Sequence, residues 1–566
     1  MPRIQQLTLL DGPMALAEIA PDPGADYGEV FTRRWIVDLI LDLVGYSPEQ
    51  DLADKVLIEP SCGSGAFLVP IVERLIQSSK LHGHDLRTLG SAIQAFDLLG
   101  ANAELARKGV ANQLMIAGLS ESGAEALAAE WVTTGDFLLH RHRSASADFV
   151  VGNPPYIRLE NIPRPIMDAY RQICPSMRGR ADIYVGFFEL GLDLLAPNGA
   201  LSFICADRWM RNQYGAHLRE IITNGYAVDT VISMHDVDAF EDDVSAYPAI
   251  VVLRNHRQTS ASVVEANHSF GARDAEQLSS WVRRGRRRTQ VTDSYEATKV
   301  DAWFAGRELW PSGSPAQLAV IADLESRFPL LEDAHTETRV GIGVATGCDE
   351  VFITTDPHVV EQDRLLPLLK APDTVTGEID WSGTYLVNPW DDQGLVDLDR
   401  YPRMAQLFEE HGHRLRARHI AKSRPNHWYR TIDRVHMGLF ECPKLVIPDL
   451  KAAANPVLDE GSYYPHHNLY YVVSNKWDPE VLGGLLLSQV ANLFVGAYCV
   501  KMRGGCYRFQ AQYLRRIRVP LRESVSRGDA RLLARAFRER DVETATGVAL
   551  KLYGLSELPL QQFDEI

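Results

Sequence analysis

The chain has 566 residues, of which 46% are apolar, and it carries a formal net charge of −16. This length allows two or three compact domains, and the acidic balance excludes a protein that coats nucleic acid without specificity. The sequence has no stretch of about eighteen uncharged apolar residues and no secretory signal at its N-terminus, so we expect a cytoplasmic protein without a membrane partner.

The first half of the chain predicts an α/β fold. Short β-rich apolar runs alternate there with segments of helical spacing, such as residues 187–197. This alternation predicts a doubly wound parallel sheet with helices on both faces. The loop between the last two strands lacks room for a good crossover helix, which favours an antiparallel final pair. The predicted strands are 55–59, 92–97, 148–152, 200–206, 228–234 and 249–254.

The remainder of the chain changes character. Residues 255–335 are mixed and charged and include the loop signal "WPSGSPAQ", so we expect a first domain over residues 1–310 with its core at 27–255. Residues 336–525 combine glycine-punctuated segments, many aromatics and short β-like runs, which predicts a second domain of α+β type. A helical tail is expected over residues 526–566.

Three basic islands contrast with the acidic whole. They lie at residues 281–288, 411–434 and 501–518, and aromatic residues are interleaved with their cations. An acidic protein with such islands fits one that grips DNA in one groove. Each island taken singly is equally typical of a solvated surface.

The seven cysteines are scattered along the chain. They form no CxxC pair, and the sequence has no HExxH motif. We therefore expect neither a disulfide framework nor a metal site.

A glycine-containing turn follows the first predicted strand. The segment "EPSCGSGAFL" starts at Glu59, and its Gly63 and Gly65 allow a tight turn and close approach of a ligand to the backbone. The third glycine of a dinucleotide-binding fingerprint is missing, which weakens that interpretation. An acid at the strand tip suits a positively charged amino group better than a pyrophosphate.

Two further acids lie at successive strand ends. Asp97 ends the second strand, where sheets of this kind hydrogen-bond the ribose hydroxyls of a nucleoside. Asp136 and Phe137, in the segment at 133–139, stand at the expected end of a further strand, the third in chain order, where they can accept a hydrogen bond from an adenine amino group and pack on its ring. Each acid alone is also a common helix cap, but three acids at three strand ends favour a nucleoside site.

The segment "NPPY", Asn153 to Tyr156, follows the fourth strand and so reaches the same edge of the sheet. An exocyclic amine conjugated to a ring is a poor nucleophile because its lone pair is delocalised. The amide oxygen of Asn153 and the carbonyl of Pro154 can accept its two hydrogens and draw the nitrogen toward tetrahedral geometry. Tyr156 can stack on a base extruded from a duplex.

These ordered motifs resemble those of the γ-group N6-adenine DNA methyltransferases of bacterial type II restriction-modification systems. The segment "GEVFTRR" at residues 28–34 precedes the glycine motif, and similarity extends over about residues 27–254. Patchier similarity to the target-recognition domain of that family follows. The resemblance implies a class I S-adenosylmethionine-dependent methyltransferase (Rossmann-like) domain and an α+β DNA target-recognition domain. The implied reaction transfers a methyl group from S-adenosylmethionine to a flipped-out adenine in double-stranded DNA.

The resemblance also implies roles for individual residues. Asn153, Pro154 and Tyr156 would carry catalysis, with Phe240 as a second aromatic face for the target base. The family usually has proline after the threonine of its first motif, whereas Arg33 follows Thr32 here. The implied cofactor contacts are Thr32, Glu59, Pro60, Gly63, Gly65, Asp97, Asp136, Phe137, Asn153 and Pro155.

For contacts to DNA we expect the islands at 411–434 and 501–518, with arginines that read guanine edges and cations that hold phosphates. Neutralising Arg515 and Arg516 is expected to weaken binding and flatten its salt dependence. Residues 162–182 either close over DNA or form a surface insertion. The candidate DNA contacts are Arg414, Arg416, Arg418, Lys422, Lys501, Arg503, Arg515 and Arg516.

Alternative functions stay open at this point. An NPPY motif also serves adenine in RNA and glutamine side chains in proteins, although the long C-terminal half exceeds what such enzymes need. The chain could also be a DNA-binding module that has lost catalysis, or a modification subunit that needs partner proteins. The preferred interpretation is the modification part of a restriction-modification or related phage-defence system, with any cognate restriction endonuclease on a separate chain.

Overall fold

The computed structural model describes residues 30–241, 247–301, 303–451, 453–502 and 506–559. These residues form two compact units, which divide between Trp310 and Pro311. Within the described ranges no single helix is long and apolar enough to cross a membrane; one pair of consecutive helices meets that test only together, and it is bent by 63°. Part of the predicted motif at residues 28–34 and the candidate Arg503 lie outside the described residues.

The first unit is built on a ten-stranded sheet. Its strands, in chain order, are β1 Leu57–Glu59, β2 Ile93–Asp97, β3 Val132–Thr134, β4 Ala147–Gly152, β5 Leu195–Ala206, β6 Ala227–Ser233, β7 Pro248–Arg254, β8 Ala261–Ala266, β9 Thr289–Val291 and β10 Tyr295–Val300. They lie in the order β3-β2-β1-β4-β5-β7-β6-β8-β10-β9. Strands β1 to β5 are mutually parallel, and β7 runs antiparallel to both β5 and β6.

Helices cover both faces of this sheet. Successive strand residues point to opposite faces, so Val150 joins one hydrophobic core and Val151 joins the other. One core includes the helices that surround β1 and β2, and the second is built on the helix that precedes β5. The helices of the unit are α1 Arg34–Val44, α2 Leu68–His82, α3 Gly100–Ile116, α4 Glu121–Trp131, α5 Arg164–Ile173, α6 Tyr184–Leu194, α7 Arg208–Arg211, α8 Ala216–Gly225 and α9 Ala272–Arg284.

This architecture confirms the predicted α/β class, the parallel strands and the antiparallel final pair. Two details differ from the prediction. The helix expected at 187–197 is α6, which ends at Leu194 because β5 begins at the next residue. Strands β8 to β10 and helix α9 extend the sheet through residues whose mixed, charged sequence predicted no regular element.

The second unit combines four small sheets with helices. The sheet orders are β11-β21-β17-β19, β12-β14-β13-β20, β18-β23-β22 and β15-β16. Its strands are β11 Thr338–Ile342, β12 Ile353–Thr354, β13 Leu365–Leu369, β14 Tyr385–Val387, β15 Trp390–Asp391, β16 Gly394–Leu395, β17 Lys444–Pro448, β18 Leu450–Lys451, β19 Val457–Asp459, β20 Tyr464–Pro465, β21 Leu469–Ser474, β22 Val500–Met502 and β23 Cys506–Arg508. Such a mixture agrees with the predicted α+β type.

Helices at the end of the chain pack onto the body of the second unit. Gly484 makes this possible, because a side chain there would meet the carbonyl oxygen of Leu533 at 2.4 Å. The predicted helical tail therefore contains two helices that belong to the second unit. The helices of this unit are α10 Pro315–Arg327, α11 Asp349–Phe352, α12 Pro402–Glu410, α13 Gly412–Ala417, α14 His419–Ser423, α15 Met437–Phe440, α16 Pro479–Leu487, α17 Gln489–Tyr498, α18 Ala511–Leu514, α19 Arg527–Glu539 and α20 Val542–Tyr553.

Candidate active site

A cleft that is open to solvent lies at the carboxyl ends of β1, β2 and β4. This is the edge at which open α/β sheets bind ligands. Gly65, Pro154, Tyr156 and Phe240 do not line the cleft itself. The predicted residues that line it are Thr32, Glu59, Pro60, Gly63, Asp97, Asp136, Phe137, Asn153 and Pro155.

Asp97 fixes the glycine turn beside the cleft. Its Oδ2 accepts a hydrogen bond of 2.8 Å from the backbone N–H of Gly63, and its Oδ1 accepts one of 2.9 Å from that of Leu99. Gly63 has φ +51°, and no atom lies within 4 Å of the place where a side chain would project. The turn is thus held rigidly while its backbone stays open to a ligand.

Glu59 is the most unusual group in the cleft. It is 1% exposed, and neither carboxylate oxygen has a hydrogen-bond partner among the described residues. Burial, and then the charge of Asp97, raise the pKa of Glu59 well above its ordinary value. A buried acid without a partner is costly, and an ammonium group placed in the cleft would satisfy it.

Aromatic and acidic groups form the other end of the cleft. Asp136 Oδ1 accepts a hydrogen bond of 2.9 Å from the N–H of Leu138, and its Oδ2 accepts one of 2.5 Å from the hydroxyl of Tyr170. Burial raises the pKa of Asp136 despite these hydrogen bonds. The Phe137 ring stacks on that of Phe187, with centroids 5.4 Å apart and planes 26° apart.

Tyr170 and Phe187 also line the cleft, and the sequence did not identify either as a site residue. Phe187 lies inside a segment predicted to be helical, where an aromatic at helical spacing indicates core packing. Tyr170 lies in α5, within the segment at 162–182. No local motif distinguishes these two residues, so only the fold could bring them to the site.

Asn153 is held by one end of its amide. Its Nδ2 donates to the backbone carbonyl of Val30 at 3.0 Å and to Oγ1 of Thr32 at 3.2 Å. Since a carbonyl can only accept, the nitrogen must face Val30. The Oδ1 atom is then left buried, without a partner among the described residues. A hydrogen-bond acceptor is therefore fixed in place and available at the cleft.

Two aromatic rings stand beside this amide. The rings of Tyr156 and Phe240 have centroids 6.5 Å apart and lie at 86° to each other. Phe240 forms an antiparallel bridge with Thr32, so the two backbones pair across the site. Beside this bridge the N–H of Arg33 donates to the carbonyl of Ala239 at 3.1 Å, a hydrogen bond that a proline at position 33 could not make.

The candidate DNA contacts of the second unit divide into two groups. Arg414, Arg416 and Lys422 are exposed, and the first two pair with the exposed acids Glu350 and Glu409. Such surface pairs are weak, so phosphates can replace the carboxylates. These three cations therefore remain accessible for a polyanion.

The other candidates contact groups inside the unit. Arg418 donates to the carbonyls of Thr346, Trp428 and Arg430, and burial lowers its pKa. Arg515 donates to the carbonyl of Val340 at 2.6 Å. These bonds favour structural roles. The side chain of Lys501 and the whole of Arg503 lie outside the described part of the chain.

Comparisons with known proteins agree with this fold. Residues 85–240 match the family model described as Eco57I restriction-modification methylase. The chain is 43% identical over 534 residues to the type II methyltransferase M.PaeR7I of Pseudomonas aeruginosa, across 94% of this chain and 92% of that relative. It is 41% identical over 536 residues to the type II methyltransferase M.XhoI of Xanthomonas vasicola, across 94% and 97%.

Solved structures that are similar over most of the chain include the following one. It is the type IIL restriction-modification enzyme MmeI in complex with DNA, with a TM-score of 0.58 and 10% identity, covering 93% of this chain and 74% of that chain. At this identity the similarity shows a common fold.

Proposed function

Because this chain belongs to the type II methyltransferases of restriction-modification systems, we propose that it methylates N6 of a flipped-out adenine at a specific sequence in double-stranded DNA. S-adenosylmethionine is the methyl donor, and its sulfonium group supplies an electrophilic methyl group when it is bound. Adenine as the target base rests on the residues of the cleft.

The unpartnered Oδ1 of Asn153 carries the proposal for adenine. The amide nitrogen is occupied by Val30 and Thr32, so the oxygen is the part of the side chain that can accept a hydrogen from an incoming amine. Together with the Pro154 carbonyl it can accept both N–H groups of an exocyclic amine. The nitrogen lone pair is thereby released from the ring for attack on the methyl carbon, whose bond to the donor's sulfur would break as the new N–C bond forms. The methylated nitrogen would then carry a positive charge and release one of its two protons to solvent.

The opposite part of the cleft fits the methyl donor. Glu59 offers a buried, unpartnered carboxylate for the donor's ammonium group, and the open backbone at Gly63 allows close approach. Asp97 lies where a ribose is expected, and Asp136 with Phe137 would hold the donor's adenine. These assignments follow from the chemistry of each group.

Tyr156 and Phe240 are proposed to enclose the target base. Base flipping requires a pocket that replaces the stacking lost from the duplex, and two aromatic rings supply that replacement. Their perpendicular arrangement gives one face and one edge for contact with a planar base. The second unit would read the DNA sequence, and any cognate endonuclease would be a separate chain.

The substitution Asn153→Ala tests the proposal. We expect the rate of methyl transfer to fall by about 10²–10³-fold or more, because a fixed acceptor is removed. Binding of the donor, measured by calorimetry, should persist. Asn224→Ala, which removes an exposed amide from α8 of the same unit, should behave like the unmodified protein.

The acceptor itself is tested with labelled donor and separate pools of DNA, RNA and protein. Label is expected in DNA alone, and digestion to nucleosides should yield N6-methyladenine. Label confined to RNA or protein, or found on cytosine, would refute the proposal. Methylation by the purified single chain would also exclude an obligate partner.

A further inference from the structure

Three potential metal ligands converge in the second unit. They are Asp349, His466 and His467, whose ligand atoms all lie within 4.8 Å of one another. Nε2 of His466 is 3.5 Å from Oδ2 of Asp349, and the centroids of the two imidazole rings are 4.0 Å apart. None of these residues belongs to the proposed methyl-transfer site, which lies in the first unit.

His466 is the unusual member of this cluster. The residue is 6% exposed, and its Nε2 faces Oδ2 of Asp349. A buried imidazole nitrogen that faces a carboxylate oxygen can bind a metal ion together with it.

The backbone holds the three residues in register. The N–H of His466 donates to Leu369 at 2.9 Å and that of His467 donates to Val344 at 3.1 Å, and Val344 forms a parallel bridge with His466. Asp349 is the first residue of α11. Its Oδ1 accepts a hydrogen bond from Thr346, which leaves Oδ2 toward His466. Two chain segments are thus fixed so that their ligands face each other.

We propose that Asp349, His466 and His467 bind one divalent transition-metal ion of the zinc class. Two imidazoles and a carboxylate are ligands that Zn²⁺ prefers. With bonds of about 2.0–2.2 Å, adjacent ligand atoms of a tetrahedral ion lie roughly 3.3–3.6 Å apart, and His466 and Asp349 already have a separation of 3.5 Å. The exposed side chain of His467 completes the set by a change of rotamer.

The ion would act as a structural clamp. It would join the start of α11 to the segment after β20, while the exposed sides of Asp349 and His467 leave room for entry of the ion and for a water ligand. The expectation from sequence that no metal is bound rested on cysteine and HExxH spacing. That spacing cannot reveal a site whose ligands come from positions more than a hundred residues apart.

The test uses the full-length protein, stripped of metal by a chelator, and Zn²⁺ as the probe. Calorimetry should show one tight site per chain, and saturation should raise the unfolding temperature because the ion binds the folded state. His467→Asn and Asp349→Asn should each weaken this site at least about tenfold. His419→Asn, at an exposed histidine of α14, is the matched control and should bind as the unmodified protein does.

Either of two results would overturn the proposal. One is the absence of a stoichiometric site at micromolar Zn²⁺, and the other is equal affinity in His467→Asn, Asp349→Asn and the control. Because His467 and Asp349 are exposed, their variants should retain the fold, and circular dichroism would verify this. Metal content and unfolding temperature do not depend on methyl transfer, so failure of the adenine proposal would leave this result unaffected.

Discussion

At Asn153, the two ends of one amide have different surroundings. The nitrogen ties the chain segment at Val30 and Thr32 to the end of β4, while the oxygen remains unpartnered. The same hydrogen bonds that stabilise the loop therefore set the direction of the acceptor. A side chain of the same size without the N–H groups of the amide would lose this orientation.

We expect Asn153→Asp to be severely impaired although it keeps an acceptor oxygen. A carboxylate would face the Val30 carbonyl, and the two oxygens would repel each other. The single-turnover rate should fall by about 10²–10³-fold. Thr32→Val removes only one of the two partners of the nitrogen and should cost less. Equal rates for Asn153→Asp and the unmodified enzyme would contradict the assigned orientation.

Ionisation of Glu59 is expected to lower the stability of the free protein and to favour binding of the donor. Folding raises the pKa of Glu59, so between the unfolded and the folded pKa the folded state binds more protons than the unfolded state. The free energy of unfolding therefore falls as the pH rises through the folded pKa. Glu59→Gln removes this loss. Without donor present, the variant should unfold a few degrees higher than the unmodified protein at pH 8, and the difference should shrink toward pH 5.

The same variant should bind S-adenosylmethionine more weakly at pH 8, because the neutral amide cannot pair with an ammonium group. Calorimetric titrations beside the melting curves provide this measurement. Unchanged affinity together with raised stability would remove Glu59 from the binding site.

Site residues at the ends of strands could be predicted from the sequence. Site residues that only the packing of helices brings to the cleft could not. Glu59 and Asp97 are the last residues of buried strands and Asn153 directly follows one, so the parallel sheet fixes their place at one edge. Tyr170 and Phe187 reach the cleft from helices whose position depends on the second hydrophobic core. Sequence spacing contains no information about that packing.

At the scale of elements, strands flanked by turns were the most predictable features. All six predicted strands occur, because each is a short buried apolar run. The boundary between α6 and β5 was missed since the segment from Leu195 to Pro197 continues the helical spacing. Pairing of Leu195 with Ala147 draws this segment into the sheet instead. A tertiary contact here overrides local propensity.

The buried ion pair between β17 and β19 offers a test of element pairing. Lys444 and Asp459 are cross-strand neighbours with 0% of each side chain exposed, and their Nζ and Oδ2 are 2.6 Å apart. Lys444→Met should destabilise the second unit by about 3–5 kcal/mol, because it leaves a buried charge without a partner.

The double variant Lys444→Met with Asp459→Asn should recover much of this stability. Asparagine keeps the oxygen that accepts from Gly461 and Ser462, while the charge disappears. Urea unfolding of both variants measures the difference. A double variant no more stable than Lys444→Met would show that the pair contributes through more than charge compensation.

At the scale of the whole molecule, the net charge of −16 conceals an uneven distribution of cations. Composition predicted basic islands, but it could not tell exposed cations from those that support the fold. Arg416 and Lys422 are exposed, whereas Arg516 is 15% exposed and paired with Glu325 at 2.9 Å. Only the first kind can meet a phosphate while every internal ion pair stays intact.

Salt dependence of DNA binding should separate the two kinds of cation. Replacing Arg414, Arg416 and Lys422 by glutamine should lower the slope of log affinity against log salt by about 0.9 for each phosphate that the variant no longer neutralises. Arg516→Met is the control, and it should lower the unfolding temperature with little change in slope. The opposite pattern, with a flattened slope only in Arg516→Met, would show that the cations that contact DNA lie in the island at 501–518.

The bridge between Thr32 and Phe240 is expected to couple the binding of the two substrates. One of its backbones carries a proposed donor contact and the other a proposed contact to the target base. If ordering of one side by its ligand lowers the cost of ordering the other, the two ligands bind cooperatively. By reciprocity, the factor by which DNA raises the affinity for the donor then equals the factor by which the donor raises the affinity for DNA.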